Sequence, residues 1–224
     1  MKRSEINALM QQAKDFFQEH HFLLPPWAFW SPEQWKGKAE ACAEIRDNML
    51  GWDITDFGSD DFEKKGLLLF TIRNGNPNKD SKVYAEKIMI VREDQETPWH
   101  FHWKKMEDII NRGGGTLVID LYNSDENERF SSAPVQVKID GVLHEVQPGG
   151  QVELAPGESI CLYQGLYHRF YAKPGEGWVL TGEVSQVNDD TADNRFYEAI
   201  GRFPEIEEDE APMHLLVGDY PKYM

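Results

Sequence analysis

Cysteine is scarce in this sequence. The 224 residues contain two, Cys42 and Cys161, far apart and each in an apolar run. That excludes a disulfide framework and leads us to expect two buried thiols in a reducing compartment. Long apolar runs are also missing, since none approaches the roughly 20 residues that a membrane span needs. Met1, Lys2, Arg3 and Ser4 are followed by an amphipathic segment with acids, not by an apolar stretch, so no signal peptide is expected. Together these absences point to the cytoplasm. Positive charge is short too: 23 Lys and Arg stand against 39 Asp and Glu, a net charge of -16. Nucleic acid and anionic membrane need basic surface and are excluded as partners. A highly phosphorylated substrate is disfavoured unless a local basic pocket overrides the overall field. No solenoid-type repeat occurs. With 40% hydrophobic and 28% charged residues, what remains is a soluble globular protein.

The chain changes character near residue 60. Residues 4–19 are expected to form a helix capped by Ser4, with Ile6, Leu9, Met10, Ala13, Phe16 and Phe17 recurring at three and four. Residues 23–30 combine two prolines with aromatics and suit an extended arm. Ser31 and Pro32 form a helix start for a second helical region over roughly 33–48. Residues 51–66 read as an acidic loop. From Gly66 onward the period is that of strands, expected at 67–72, 83–91, in the histidine segment that opens at Thr97 and ends before Glu107, and at 115–122, 135–139, 142–146, 151–154, 159–163, 168–172 and 178–187. Asp140 and Gly141 mark a tight hairpin. Many short strands separated by Gly, Pro and Asn make a sandwich or barrel. The expected organisation is a helical and extended arm over 1–62, a barrel over 63–190 and a C-terminal extension over 191–224, forming one structural domain.

The chemistry concentrates in residues 97–107. In a strand, His100 and His102 share one face, while Trp99, Phe101 and Trp103 share the other. Glu107 lies past the strand end and is able to swing back as a carboxylate ligand. His168 follows about sixty residues later. Three histidines and a glutamate suit Mn, Fe, Zn or Co. Lys87 shares a strand face with Val83, Ala85, Met89 and Val91, an apolar setting in which a lysine is costly without a partner. It is expected in a polar part of a cavity. Glu183 shares a face with Thr181 and Ser185, opposite Leu180 and Val184, which suits a cavity wall.

The spacing of His100, His102, Glu107 and Gly114 resembles the first cupin motif. Gly157, Tyr163, Gly165 and His168 resemble the second, with Tyr163 where proline is usual and Ala172 where asparagine is frequent. The text around them (residues 99–115, 182–190 and 193–196) is similar to the D-lyxose isomerase family, and the resemblance runs over nearly the whole chain. It implies a mainly β fold, a double-stranded β-helix (jelly-roll-like) barrel with an N-terminal helical addition. It also implies one divalent ion per subunit, manganese first and Zn, Co or Fe as substitutes, and a homodimer. The activity implied is interconversion of D-lyxose and D-xylulose, with D-mannose and D-fructose as further substrates.

Such a reaction moves a proton between C1 and C2 of the sugar. Four protein ligands on a six-coordinate ion leave two cis positions for a chelating hydroxy-carbonyl, which argues against a closed tetrahedral zinc site. Glu183 is the candidate base, and Lys87 and Lys105 the candidates for electrostatic and proton-transfer roles. Strict alternation favours Lys104 over Lys105 on the ligand face, and the choice depends on where the strand bends. Asp189, Asp193 and Arg195 are candidates for binding sugar hydroxyls or closing a lid, with a capped turn as the plainer reading. Trp103, Tyr167 and Phe170 offer apolar surface to a sugar, or else pack the core. An Fe(II) cupin dioxygenase would use the same four ligands, and a non-catalytic sugar-binding cupin would keep the barrel without the turnover.

Overall fold

The computed structural model describes residues 1–76, 78–187, 192–201 and 205–224. Helix α1 spans Arg3–Glu19 and is followed by two short helices, α2 (Pro32–Trp35) and α3 (Ala43–Asp47). Thirteen strands follow among the described residues. The first six are β1 (Gly51–Thr55), β2 (Leu67–Arg73), β3 (Tyr84–Val91), β4 (His100–Phe101), β5 (Glu107–Gly114) and β6 (Leu117–Asn123). Next come β7 (Val135–Ile139), β8 (Val142–Val146), β9 (Gln151–Leu154) and β10 (Ser159–Leu162). The last are β11 (Leu166–Ala172), β12 (Val179–Gln186) and β13 (Arg195–Phe196), before a terminal turn of helix, α4 (Tyr220–Tyr223).

Two antiparallel sheets face each other. One runs β1-β2-β3-β12-β5-β10-β7-β8 and the other β13-β4-β11-β6-β9. This is the expected barrel with a helical addition. Between the sheets, Leu117, Ile119 and Leu121 of β6 pack with Val135, Val137, Leu154 and Ile160, all essentially inaccessible to solvent. Each such side chain contributes roughly 1.5–3 kcal/mol relative to remaining exposed. The outer face of the larger sheet carries a second core, in which Ile6, Met10 and Phe17 of α1 cover Trp52, Ile54, Phe70, Ile88 and Leu180. Arg3, fully buried, donates to Asp219 and Glu208 and ties the start of α1 to the tail. Asp140 and Gly141 both take positive φ (47° and 82°) between β7 and β8, as the hairpin requires. Gly114 (φ 90°) lies so close to the carbonyl of Trp178 that a Cβ there would overlap it. No helix among the described residues is long and apolar enough to cross a membrane.

Several elements depart from the sequence reading. Residues 33–48 form two short helices, not one, because Lys36 to Cys42 leave the helical path after the capped turn at Ser31. Ser4 does not cap α1. Its hydroxyl donates to Asp209, while the backbone N–H of Lys2 is met by Glu5. Residues 51–55, read as loop, are a strand. Their apolar Trp52 and Ile54 serve the outer core, and polar Asp53 and Thr55 face inward. Residues 97–107 are not one strand. Only His100 and Phe101 pair with β11 and β13, and Glu107 opens a separate strand in the opposite sheet.

Candidate metal centre and active site

That break gives the site its shape. His100 sits on β4 in register with His168 on β11, so two imidazoles come from one sheet. Their ring centroids are 4.2 Å apart. His102 lies just past β4, and Glu107 comes across from the other sheet. Glu107 Oε1 stands 3.3 Å from His102 Nε2 and 3.2 Å from His168 Nε2. One ligating nitrogen from each of the three histidines falls within a 4.8 Å span.

Each imidazole is held through its other nitrogen. Nδ1 of His100 lies 2.9 Å from the carbonyl of Pro98, that of His102 lies 3.0 Å from Asp193, and that of His168 lies 3.0 Å from Leu166. A carbonyl accepts only, so Nδ1 carries the proton and Nε2 presents its lone pair. This is the arrangement of metal-ligating histidines. Nε2 of His102 and of His168 are buried and have no hydrogen-bond partner among the described residues. Two ligands at a right angle, each roughly 2.1 Å from one ion, would stand roughly 3.0 Å apart, close to the two nitrogen–oxygen distances here. The donor set therefore fits a divalent cation. Burial and the neighbouring imidazoles push His100 well below the ordinary histidine range, and burial and Lys105 lower His102. Burial alone would raise Glu107, but Lys105 and His102 outweigh it and hold the carboxyl well below its usual range. Neutral imidazoles and an ionised carboxylate are the forms that bind a metal.

A second group adjoins the first. Lys105 Nζ lies 2.6 Å from Glu107 Oε2 and 3.0 Å from Glu183 Oε1, bridging the ligand carboxylate and the expected base. Lys87 Nζ lies 3.4 Å from Glu183 Oε1, and the Ser185 hydroxyl donates to the same oxygen at 2.9 Å. The register explains the grouping. Lys87 pairs with Glu183 across β3 and β12, and Glu183 with Ile109 across β12 and β5, on inward faces. Lys87, Lys105, Glu107 and Glu183 are each no more than 5% exposed. Lys104 is exposed, so the bend after His102, not strict alternation, selects Lys105.

These groups line one cavity of about 340 Å³, together with apolar Leu67, Leu69, Met89, Ile109 and Phe170 and polar Asp53, Thr55 and Asn194. That volume is at the small end of ligand cavities. Asp193 and Arg195 do not line it. The Asp193 carboxylate accepts the backbone N–H groups of Lys104 and Lys105 at 3.0 and 2.9 Å, and Arg195 is paired with Glu128 at 2.7 Å. The extended segment alternates, so Asn194 and Phe196 face the cavity and their neighbours face the protein. Asp189 lies outside the described residues. Tyr167 is buried against Phe101, with its hydroxyl donating to the Glu128 carbonyl. Trp103 is 45% exposed, which leaves Phe170 as the aromatic of that trio in the cavity wall. For Asp53 and Thr55 the sequence offers only the alternation of 51–55, and for Asn194 only its place between Asp193 and Arg195.

The D-lyxose isomerase family model matches residues 1–220. A D-lyxose/D-mannose isomerase of Serratia proteamaculans is 48% identical over 227 residues, and one of Escherichia coli O157:H7 is 49% identical over 226. Each alignment covers 100% of both chains. Among solved structures, the ligand-free L-ribose isomerase of Cellulomonas parahominis aligns with a TM-score of 0.63 at 16% identity, covering 92% of this chain and 98% of that one. The L-ribose isomerase of Geodermatophilus obscurus gives 0.59 at 16% identity, covering 89% and 93%. At that identity the likeness is one of fold.

Proposed function

The chain belongs to the D-lyxose isomerase family and is a sugar isomerase, and from that premise we propose that it interconverts D-lyxose with D-xylulose, and D-mannose with D-fructose, by proton transfer through a cis-enediol. The observation that carries the mechanism is the buried contact of Lys105 with both Glu107 and Glu183, which joins a metal-type ligand set to a carboxylate aimed into the same cavity.

His100, His102, His168 and Glu107 would hold the divalent ion, which when bound supplies Lewis acidity at the two sugar oxygens. The remaining roles fall to the chain. Glu183 removes the proton from one of the two carbons and returns it to the other. Its contacts with Lys105, Lys87 and Ser185 meet at Oε1, which orients the carboxylate in the cavity wall. Lys105 and Lys87 oppose the negative charge that develops on the sugar oxygens, in a site from which the apolar wall excludes water. Asp193 positions the loop: one residue fixes His102 through its carbonyl and Lys105 through its carboxylate. Manganese as the favoured ion and a homodimeric assembly belong to the same proposal and rest on the family resemblance, while a cytoplasmic location belongs to it through the two free cysteines, which suit a reducing compartment.

The test is an isomerase assay over pentoses and hexoses with protein first stripped by a chelator and then given manganese. Ketose should form from D-lyxose and D-mannose only after metal is restored. Turnover that is indifferent to chelation and resupply would contradict the metal-dependent reading. Oxygen uptake by the iron-loaded form without ketose formation would favour the dioxygenase alternative instead.

A further inference from the structure

Beyond the reacting groups, the cavity wall continues onto a strand that this chemistry does not use. Strand β1 is the edge of the larger sheet, and its orientation is fixed from outside. Trp52 and Ile54 are each 1% exposed in the outer core, and the Trp52 indole N–H donates to the Ala28 carbonyl at 2.8 Å. Alternation then turns Asp53 and Thr55 inward, where both line the cavity at 9% and 7% exposure. Asp53 pairs with Leu69 of β2, and Leu69 with Met89 of β3, so this carboxylate is set into an apolar wall. Among the described lining residues it is the one carboxylate apart from Glu107 and Glu183. Three strand steps separate β1 from β12, roughly 14 Å along the sheet and less across its curled interior. An aromatic roof spans the gap, from His100 to Phe196 (5.4 Å between centroids) and from Phe196 to Phe57 (6.2 Å), which follows β1 closely.

We propose that Asp53, with Thr55 beside it, recognises the hydroxyl groups at the end of the sugar remote from C1 and C2, and so governs which aldoses the site accepts. The proposal rests on the sugar-isomerase reading. With C1 and C2 fixed among the histidines, Lys105 and Glu183, the rest of the carbon chain extends along the wall towards β1. Leu67, Leu69 and Met89 suit its C–H surface but leave distal hydroxyls without partners. A carboxylate presents about four lone-pair sites, enough to accept from neighbouring hydroxyls alongside its contacts within the protein. Bonds to an ionised acceptor are about twice as strong as neutral ones. A site built to bond a hydroxyl also rejects the analogue that lacks it far more strongly than an apolar pocket does.

The experiment is a cycle between enzyme and substrate, using the metal-loaded full chain, wild type and Asp53→Asn, on D-lyxose and on 5-deoxy-D-lyxose. For wild type, loss of the hydroxyl should lower kcat/KM by about 10–100-fold, carried by KM, with kcat changed by less than about threefold. Asp53→Asn should show a loss of similar size on D-lyxose itself and almost none further on the deoxy sugar. Thr55→Val, run in the same way, keeps the test open if Asp53→Asn folds poorly, and should shrink the same deoxy penalty. An equal deoxy penalty in wild type and both variants, or no penalty in an active wild type, overturns the assignment to β1 while leaving the sugar-isomerase reading intact. A wild type inert towards every aldose overturns both.

Discussion

Glu183 has an unusual set of neighbours for a buried carboxylate: two lysines and a serine hydroxyl meet one of its oxygens. Removing one partner from such a cluster leaves buried charge uncompensated, so Lys105 and Lys87 both balance the charge around Glu183. Glu183→Gln keeps the shape and removes the basic oxygen. It should lower kcat by at least about 10²–10⁴-fold with metal content unchanged, as read by steady-state kinetics beside elemental analysis of the same preparation. Activity within tenfold of wild type would mean that the base is another group. At this scale the sequence was informative where a residue was out of place in its pattern. Lys87 on an apolar face and Glu183 beside Thr181 and Ser185 both announced an interior polar site. Asp53 did not, because its two apolar neighbours were too few to reveal a strand within an acidic stretch.

At the scale of elements, the segment from His100 to Glu107 is two short pieces joined by a turn, one in each sheet. The turn is held by Asp193, whose carboxylate takes the backbone N–H groups of Lys104 and Lys105 and whose carbonyl meets His102. Asp193→Ala should therefore weaken metal affinity by about 10–100-fold, measured by titration of the metal-free protein, because outer partners of ligands carry effects of that size. Unchanged affinity would show that the loop keeps its form without this bridge. The histidine and glutamate spacing was legible, but the path of the backbone between them was not. Nor was β5, whose inward positions Glu107, Asn111 and Gly113 are polar or bare and leave Ile109 alone to signal the alternation of a buried strand. Residues 33–48 misled in the opposite direction. Their composition favours helix, yet Trp35 and Cys42 are drawn into a separate cluster with Leu215, Val217 and Tyr220, and the chain bends to serve it.

For the whole molecule, the architecture followed from strand counting and motif spacing, because a run of short strands with turn residues between them has few compact solutions. What one chain position could not reveal was which strands become neighbours. Lys87, Lys105, Glu107 and Glu183 come from three places in the sequence, and antiparallel pairing of β3, β12 and β5 draws them into one cavity. The second sheet supplies His100 and His168, and the helical addition closes the outer face of the first. Catalysis by proton transfer between adjacent carbons is the claim on which this arrangement converges. Its most direct test is to run the reaction in D2O and locate the label in the product by NMR. Deuterium on the carbon that receives the proton is the expected result, whereas ketose formed wholly without label would indicate hydride shift and contradict the role given to Glu183.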